Sequence, residues 1–450
     1  MPINPADSPI FGALYGTDEM REAFSDQALM RRMLEVEAAL ARVQADLGII
    51  PLEAAEAIAR AAKPDVLDPS ALRESARMIG YPVQGVAKAL AQAAGEEAAR
   101  YVHWGATTQD IADTALVLQT RQGLYLIEHD LRALVRALAR QAHEHRDTVM
   151  AGRTFLQQAL PITFGYKCAV WLASFLDHLD RLKELRPRAL KVQFAGAVGT
   201  LASLGERGRA VTLGLARALE LAAPEAPWHV ARDGVVETAS FLGIVSGCLA
   251  KIAGDVILLS QTEVGEVSEP AEGGRGGSST LPQKRNPLGS TYVVSAARGV
   301  QALLPLMFGA LVQEHERATG AWQSEQLALP QIFVLTAGAL SQAVALVEGL
   351  NVDAQRMRAN LDATGGLILS EAVSMALAEK IGRQDAHHRV QQAAHKALRE
   401  NRSFATVLGE DPIVQRHLDH AALARLLDPA HYIGEAKDVV DRVLVRAAKY

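Results

Sequence analysis

The chain has 450 residues, of which 49% are hydrophobic, and its formal net charge at pH 7 is −5. This length allows roughly two or three domains with a sizeable core, and the absence of a basic stripe argues against nucleic-acid binding. No basic segment followed by an apolar run opens the chain, so no signal peptide is expected. Cys168 and Cys248 lie in apolar helical stretches and are expected to be buried thiols in a reducing cytoplasm.

Residues 1–111 are predicted to form a small helical domain. Gly48 is expected to end one of its helices, Pro51 to begin the next, and Asp68 to cap a third. The first of these helices has an apolar face whose residues recur at alternating spacings of four and three, namely Leu29, Met33, Val36, Leu40, Val43 and Leu47.

Residues 112–350 are predicted to form a central bundle of long helices. The first begins near Ala112 and has an apolar face made of Leu124, Ile127, Leu131, Leu134 and Leu138. Further long helices are expected at residues 166–186, 235–267, 288–312 and 331–350. Pro187 is expected to end the earliest of these four, and no strand-like alternation persists for long.

Residues 326–347 are uncharged over the length of a membrane helix, but they include Pro330, Gln331 and Gln342. We interpret this segment as a helix buried in the bundle and not in lipid.

Residues 351–450 are predicted to form a third, smaller helical domain. The wide apolar seams favour packing against other subunits, although periodicity alone also allows a monomer. The expected fold class is therefore all-α, with three helical domains.

The stretch at residues 273–287 reads GGRGGSSTLPQKRNP and interrupts the helical pattern. Glycine and proline disfavour both helix and strand there. Successive backbone N–H groups in tight turns bind anions. Ser278 could exchange a proton beside Lys284, whose positive charge would stabilise an alkoxide or an anionic intermediate. By composition alone, a flexible linker is an equally good interpretation.

Two further motifs precede this loop. Residues 101–110 read YVHWGATTQD, and residues 152–161 read GRTFLQQALP. Thr107 and Thr108 come just before a long helix, where hydroxyl and N–H groups either bind a carboxylate or simply cap the helix. No dinucleotide fingerprint and no metal-ligand cluster appears, so neither a cofactor nor a metal is expected.

These three motifs resemble signatures of the fumarase/aspartase superfamily. Residues 277–287 are similar to G-S-S-x-M-P-x-K-x-N-P, with Leu281 in place of methionine. Residues 103–110 resemble H-x-G-x-T-S-x-D, and residues 152–161 resemble G-R-T-H-x-Q-x-A-x-P. The resemblance implies a homotetramer in which motifs from different subunits meet at each active site. It also implies a small polycarboxylate substrate, with no nucleic-acid or membrane partner.

Phe155 departs from this pattern, because many members of the superfamily carry there a histidine that handles the leaving group. An amine or hydroxide leaving group needs a proton, whereas a carboxylate, with a pKa of about 4, needs none at neutral pH. The departure points to one branch, the bacterial 3-carboxy-cis,cis-muconate cycloisomerases, which close a carboxylate onto a double bond. The resemblance to this branch runs along the chain and includes residues 20–26, 227–233, 313–317 and 427–432.

The resemblance implies catalytic roles for Ser278, Lys284 and His103. Ser278 would protonate carbon, while Lys284 and loop N–H groups would stabilise negative charge. The substrate carboxylates would be bound by Thr107, Thr108, Gln109, Arg153, Thr154, Gln157, Ser279, Asn286 and Arg317. The two arginines in this set could equally be structural, and His229 and His315 are weaker catalytic candidates.

Two alternatives stay open. The first is a lyase of the same superfamily that acts on a succinyl adduct such as adenylosuccinate. Phe155 and the lack of a clear nucleotide-phosphate pocket argue against it. The second is a catalytically idle structural bundle, against which the intact Ser278, Lys284 and Asn286 argue. The sequence leaves open whether a sulfonate could replace the third carboxylate of the substrate.

Overall fold

The structure is a computed structural model that describes residues 4–450, and it is helical almost throughout, as predicted. Contacts divide the chain into two compact units. Unit one contains the chain up to Leu131 together with His178–Leu249 and Tyr292–Gln342. Unit two contains Arg132–Asp177, Ala250–Thr291 and Ala343–Tyr450. The three predicted domains, with boundaries at residues 111 and 350, stay a prediction.

The helices before residue 100 include the amphipathic one predicted around residues 29–47. Met33, Val36 and Leu40 are buried on it, and Gly48 follows its end with a φ of +65°. Asp68 caps a later helix by accepting a hydrogen bond from the Ser70 N–H at 3.0 Å. The helices are α1 (Gly12–Tyr15), α2 (Asp18–Ala23), α3 (Asp26–Asp46), α4 (Leu52–Ala61), α5 (Pro69–Ile79), α6 (Val83–Ala94) and α7 (Glu96–Ala99).

Long helices dominate the middle of the chain. They are α8 (Thr108–Glu144), α9 (Phe164–Ala189), the shorter α10 (Gly208–Ala218), α11 (Asp233–Leu259), α12 (Leu288–Gly309) and α13 (Ala321–Glu348). The predicted apolar face of α8 is fully buried at Leu124, Ile127, Leu131, Leu134 and Leu138. By length and composition alone, α11, α12 and α13 could each cross a membrane. Much of the α13 surface is buried inside the protein, however, including Leu329, Phe333 and Leu340.

Several predicted helix ends were wrong. Pro187 lies inside the last turn of α9, where its missing N–H removes only one hydrogen bond of the helix. α11 ends at Leu259 and not at residue 267, because the Glu266 N–H donates to the Leu259 carbonyl at 2.9 Å and closes a turn. α12 ends at Gly309 and not at residue 312. α13 begins at Ala321 and not at residue 331, and it continues through Pro330.

The antiparallel hairpin of the second motif was not predicted, since its residues show no sustained strand-like alternation. β1 (Val149–Thr154) and β2 (Gln157–Thr163) form an antiparallel hairpin that contains the second motif. Its loop consists of Phe155 and Leu156, with φ values of +50° and +65°. Such turns usually carry Asn-Gly, so the sequence lacks the usual hairpin signal. A second, shorter sheet pairs β3 (Val267–Ser268) with β4 (Asn351–Val352).

Each unit has its own apolar core. In unit one, α3, α4, α6, α8 and α10 contribute Leu34, Ile58, Leu90, Leu118 and Leu215. In unit two, the core near the C-terminus includes Val373, Leu377, Val390, Phe404 and Leu408. The helices of that region are α14 (Ala354–Asp362), α15 (Ser370–Ile381), α16 (Arg383–Glu400), α17 (Phe404–Gly409), α18 (Pro412–His417), α19 (His420–Leu426) and α20 (Ala436–Ala447).

The two cysteines are free thiols, as predicted. Cys168 is buried, whereas Cys248 is only half-buried, so the expectation of burial holds fully for the first alone. Burial raises the pKa of both thiols above the ordinary value and keeps them protonated.

Candidate active site

The first motif lies at the N-terminus of α8, in unit one. The Asp110 carboxylate accepts hydrogen bonds from the Thr107 N–H at 3.0 Å and from the Ala195 and Gly196 N–H groups at 2.9 Å each. It also meets Nε2 of His229 at 2.8 Å. Asp110 is the third residue of α8, so its bond to the Thr107 N–H is the one that the third helical residue makes to the Ncap residue in a capping box.

Gln109 and Arg317, both predicted to bind substrate, are bonded to each other. Arg317 donates to Oε1 of Gln109 at 2.7 Å and to the Ala197 carbonyl at 2.7 Å. The Gln109 amide nitrogen donates to Asp113 at 3.0 Å and to the His229 carbonyl at 2.9 Å. Gln109 is fully buried, and these bonds give both polar atoms of its side chain a partner within the protein, so neither needs a ligand. The predicted substrate contacts of the pair stay predictions.

A buried charge network lies next to Gln109. The Arg232 guanidinium donates two hydrogen bonds to Asp113, at 2.7 and 3.0 Å, and two to Glu325, at 2.8 and 2.5 Å. Trp322 donates to Asp113 at 3.0 Å. Burial opposes the charge on Arg232, but the two carboxylates outweigh burial and raise the pKa of this arginine above its ordinary value. A satisfied network of this kind makes its surroundings rigid.

His103 contacts a carboxylate that the sequence analysis missed. Its Nδ1 lies 2.6 Å from Oε1 of Glu37, and its backbone φ is +60°. Burial lowers the pKa of His103, but the hydrogen bond to Glu37 and the charges of Glu37 and Asp110 outweigh burial, so the net shift is upward. One sequence signal could have revealed Glu37, because this acidic residue lies on the apolar face of α3 between Met33 and Leu40.

The second motif forms the tip and the adjoining part of the β1–β2 hairpin in unit two. Arg153, predicted to bind substrate, donates to both oxygens of the fully buried Glu266, at 2.8 and 2.7 Å. This ion pair gives the charge of Arg153 a partner within the protein, so no ligand is needed to explain it. The predicted contact of Arg153 with the substrate stays a prediction. Thr154 and Gln157 pair with each other across the tip and are exposed. Phe155 at the tip is fully exposed.

The serine loop, residues 273–287, also lies in unit two and is ordered by its own hydrogen bonds. Oγ of Ser278 accepts hydrogen bonds from the N–H groups of Thr280 at 3.3 Å and Leu281 at 3.1 Å. The backbone N–H and the side-chain amide of Asn286 both donate to the Gly276 carbonyl, at 2.8 and 3.1 Å. The loop is therefore closed at its base by Asn286 and turned tightly at Ser278.

Lys284 borders a cavity of about 700 Å³ in unit two, together with Arg275, Leu281 and the segment after α11. Ser279 and Lys284 are both exposed. The oxygen of Ser278 accepts two N–H groups and lies close in sequence to the exposed Lys284, and groups of these kinds stabilise negative charge on oxygen. This arrangement suits proton transfer to or from a carbon next to a carboxylate.

The remaining histidine candidates differ in their surroundings. His229 is buried and contacts Asp110, whereas His315 is exposed, with a φ of +48°. Across residues 4–450, no group of three or more His, Cys, Asp and Glu side chains is arranged to bind a metal ion. Independence from metals and cofactors stays a prediction.

Comparisons with known proteins agree with the motifs. A family model described as "Lyase" matches residues 14–302, and one described as "Adenylosuccinate lyase C-terminus" matches residues 366–443. A 3-carboxy-cis,cis-muconate cycloisomerase of Pseudomonas aeruginosa is 50% identical, over 97% of this chain and 95% of its own length. Trans-aconitate decarboxylase 1 of Mycosarcoma maydis is 44% identical, over 96% of this chain and 88% of its own length.

The fold comparison gives the same result. The crystal structure of a 3-carboxy-cis,cis-muconate lactonizing enzyme from Pseudomonas putida is 46% identical and has a TM-score of 0.93, with 98% of this chain and 99% of that chain covered. The similarity thus extends over all three motifs and the whole length. The chain belongs to the fumarase/aspartase superfamily, in the branch that includes the 3-carboxy-cis,cis-muconate cycloisomerases.

Proposed function

We propose that this chain is an enzyme that converts 3-carboxy-cis,cis-muconate to 4-carboxymuconolactone, in the protocatechuate branch of the β-ketoadipate pathway for the breakdown of aromatic compounds. The observation that carries the proposal is the intact serine loop, in which the Ser278 oxygen accepts two backbone N–H groups. The full-length similarity to cycloisomerases supports the choice of substrate.

The reaction needs one new bond and one proton transfer. A substrate carboxylate attacks a carbon of the diene and forms the C–O bond of the lactone. The displaced π electrons move onto a neighbouring carboxylate, which becomes an aci-form enolate. Ser278 then gives its proton to the adjacent carbon. The alkoxide left behind is stabilised by the N–H groups of Thr280 and Leu281 and by the charge of Lys284. It then takes up a proton from solvent, which balances the negative charge lost when the carboxylate becomes the lactone ester.

Phe155 fits this chemistry better than a histidine would. The attacking group is a carboxylate, which must be ionised to attack and needs no acid when it leaves in the reverse direction. The apolar ring of Phe155 offers a surface for the hydrocarbon part of the diene. The carboxylates of the substrate are bound by the residues predicted for this role, which include Thr107, Thr108 and Gln157.

The direct test is an ultraviolet assay of the purified protein with 3-carboxy-cis,cis-muconate, following loss of diene absorbance. Mass spectrometry should find a product of unchanged mass, because lactonisation is an isomerisation. Trans-aconitate serves as the comparison substrate, since its decarboxylation would release carbon dioxide. Turnover of trans-aconitate without turnover of the muconate would reject the proposed substrate.

A second candidate is β-elimination from a succinyl adduct, as in adenylosuccinate lyase. It is favoured by the match of residues 366–443 to the C-terminal model of that enzyme. Phe155 argues against it, because an amine leaving group needs a proton that phenylalanine lacks. Release of fumarate from adenylosuccinate, faster than lactonisation of the muconate, would make this the better assignment.

The proposal includes a cytoplasmic homotetramer with active sites shared between subunits and no cofactor. Large apolar side chains at and beyond the end of α12 are exposed, including Leu306, Phe308 and Val312, and they suit burial against another copy. Sedimentation should give a tetramer, and an active monomer would reject it. If sites are shared, refolding impaired His103→Gln chains together with inactive Ser278→Ala chains should give, at low substrate concentration, more activity than the two variants give separately.

A further inference from the structure

Two buried polar residues of α3 bind the segment that carries His103. Glu37 and Gln44 are two helical turns apart, on the same face of α3. Gln44 donates to the Trp104 carbonyl at 2.7 Å, and Glu37 meets Nδ1 of His103 at 2.6 Å. Glu37 and Gln44 are only 2% and 0% exposed. A helix fixed in the core of unit one therefore determines both the backbone position and the ring orientation of His103.

The contact with Glu37 also determines which nitrogen of the ring can act. Nδ1 is engaged by the carboxylate, so Nε2 is the nitrogen left for another partner. The charged groups that act on the ring are Glu37 from α3 and Asp110 from α8, and both favour the imidazolium. An imidazolium carries a proton on each nitrogen. In that form His103 would donate through Nε2 and would have no free lone pair with which to accept a proton.

We propose that Glu37 is a positioning residue that keeps His103 cationic, so that Nε2–H of His103 binds a carboxylate of the substrate. His103 is then an anion-binding group, and the proton that reaches carbon comes from Ser278 alone. This inference rests on the proposed function, since it assigns a task within the same site. The side chain of His103 is 24% exposed, so a ligand can reach it.

The test is Glu37→Gln, which keeps the shape and removes the charge. At pH 8 we expect the KM for 3-carboxy-cis,cis-muconate to rise about 10-fold while kcat stays within about 3-fold, because a lost ground-state contact acts on binding. At pH 6 the difference should shrink, since a histidine with a pKa of about 6.5 is then protonated without help. Asp130→Asn, beside the exposed His129 at 2.9 Å, is the matched control and should change neither constant.

Two outcomes would overturn the inference. A fall in kcat at unchanged KM would mean that His103 takes part in the proton transfer. A lower melting temperature with unchanged KM at both pH values would mean that Glu37 only stabilises the fold.

If Glu37→Gln does not fold, the wild type and His103→Gln can be compared by the binding of benzene-1,2,4-tricarboxylate, an unreactive probe. The affinity of the wild type should fall as pH rises and that of His103→Gln should stay level, whereas parallel curves would reject the inference. A wild type that binds this probe in the expected way but does not convert the muconate would reject only the proposed function.

Discussion

Arg153 and Glu266 form a two-pronged ion pair, with hydrogen bonds of 2.8 and 2.7 Å. The carboxylate is fully buried, and Asn360 donates a third hydrogen bond to it at 2.8 Å. The pair joins the tip end of the β1–β2 hairpin, one strand pair away from the turn, to the residue just before β3. The turn formed by Phe155 and Leu156 is therefore anchored close by, and its strained backbone can be maintained.

Substituting Arg153 should lower the free energy of unfolding more than substituting Glu266. Arg153→Met leaves a buried carboxylate with only Asn360 as a donor, and we expect a loss of about 3 kcal/mol of unfolding free energy. Glu266→Gln keeps one oxygen for Arg153 and Asn360 but loses the second hydrogen bond from Arg153, which is partly exposed and can turn to water, so the change should cost about 1 kcal/mol. Denaturant unfolding measures the difference. Arg188→Met, in the exposed pair with Glu237, is the control and should be neutral, and equal losses for the first two variants would contradict this account.

Replacing Phe155-Leu156 by Asn-Gly should stabilise the hairpin. Both positions have a positive φ, which costs side-chain-bearing residues energy but suits Asn and Gly. We expect a gain of about 1 kcal/mol, visible as a higher melting temperature. Activity should fall, because the exposed apolar side chains of the tip are lost. An unchanged melting temperature would show that the tip is not strained, and full activity would show that these side chains serve no catalytic purpose.

Ser278→Ala should reduce kcat by ~10²-fold or more, as expected when a proton-transferring group is removed. The KM should change little, because the groups predicted to bind carboxylates remain. Thr280→Ala is the matched control, since it alters the same loop but keeps the backbone N–H that contacts Ser278. Steady-state kinetics with 3-carboxy-cis,cis-muconate measures kcat and KM for both variants. A fully active Ser278→Ala enzyme would show that another group carries the proton.

Phe155→His should not increase cycloisomerase activity. It introduces the residue that many other members of the superfamily use for the leaving group, but the carboxylate nucleophile must stay ionised, so an acid there gives no advantage. We expect a lower or unchanged rate, because a polar ring replaces an apolar one. The measurement is kcat/KM on the muconate for both proteins, and a large gain would mean that the assignment of the proton chemistry is wrong.

The sequence by itself determined the features that depend on neighbouring residues. The apolar spacing of α3 and α8 predicted their buried faces, because a helix repeats its surface every three to four residues. The serine loop was identified from one continuous stretch, residues 273–287, since its chemistry needs only adjacent residues. The family followed from the same stretch and two others, and full-length comparisons confirmed it.

Only the tertiary structure decided the contacts between distant residues. Glu37 lies 66 positions before His103, and Arg153 lies 113 positions before Glu266. Each of these pairs includes a buried carboxylate, which is stable only when the fold brings a donor to it. Local propensity contains no information about such partners. The hairpin tip was not predicted for a related reason. The positive φ values of Phe155 and Leu156 oppose their intrinsic preference, and the neighbouring Arg153 is held by Glu266, which is distant in the sequence.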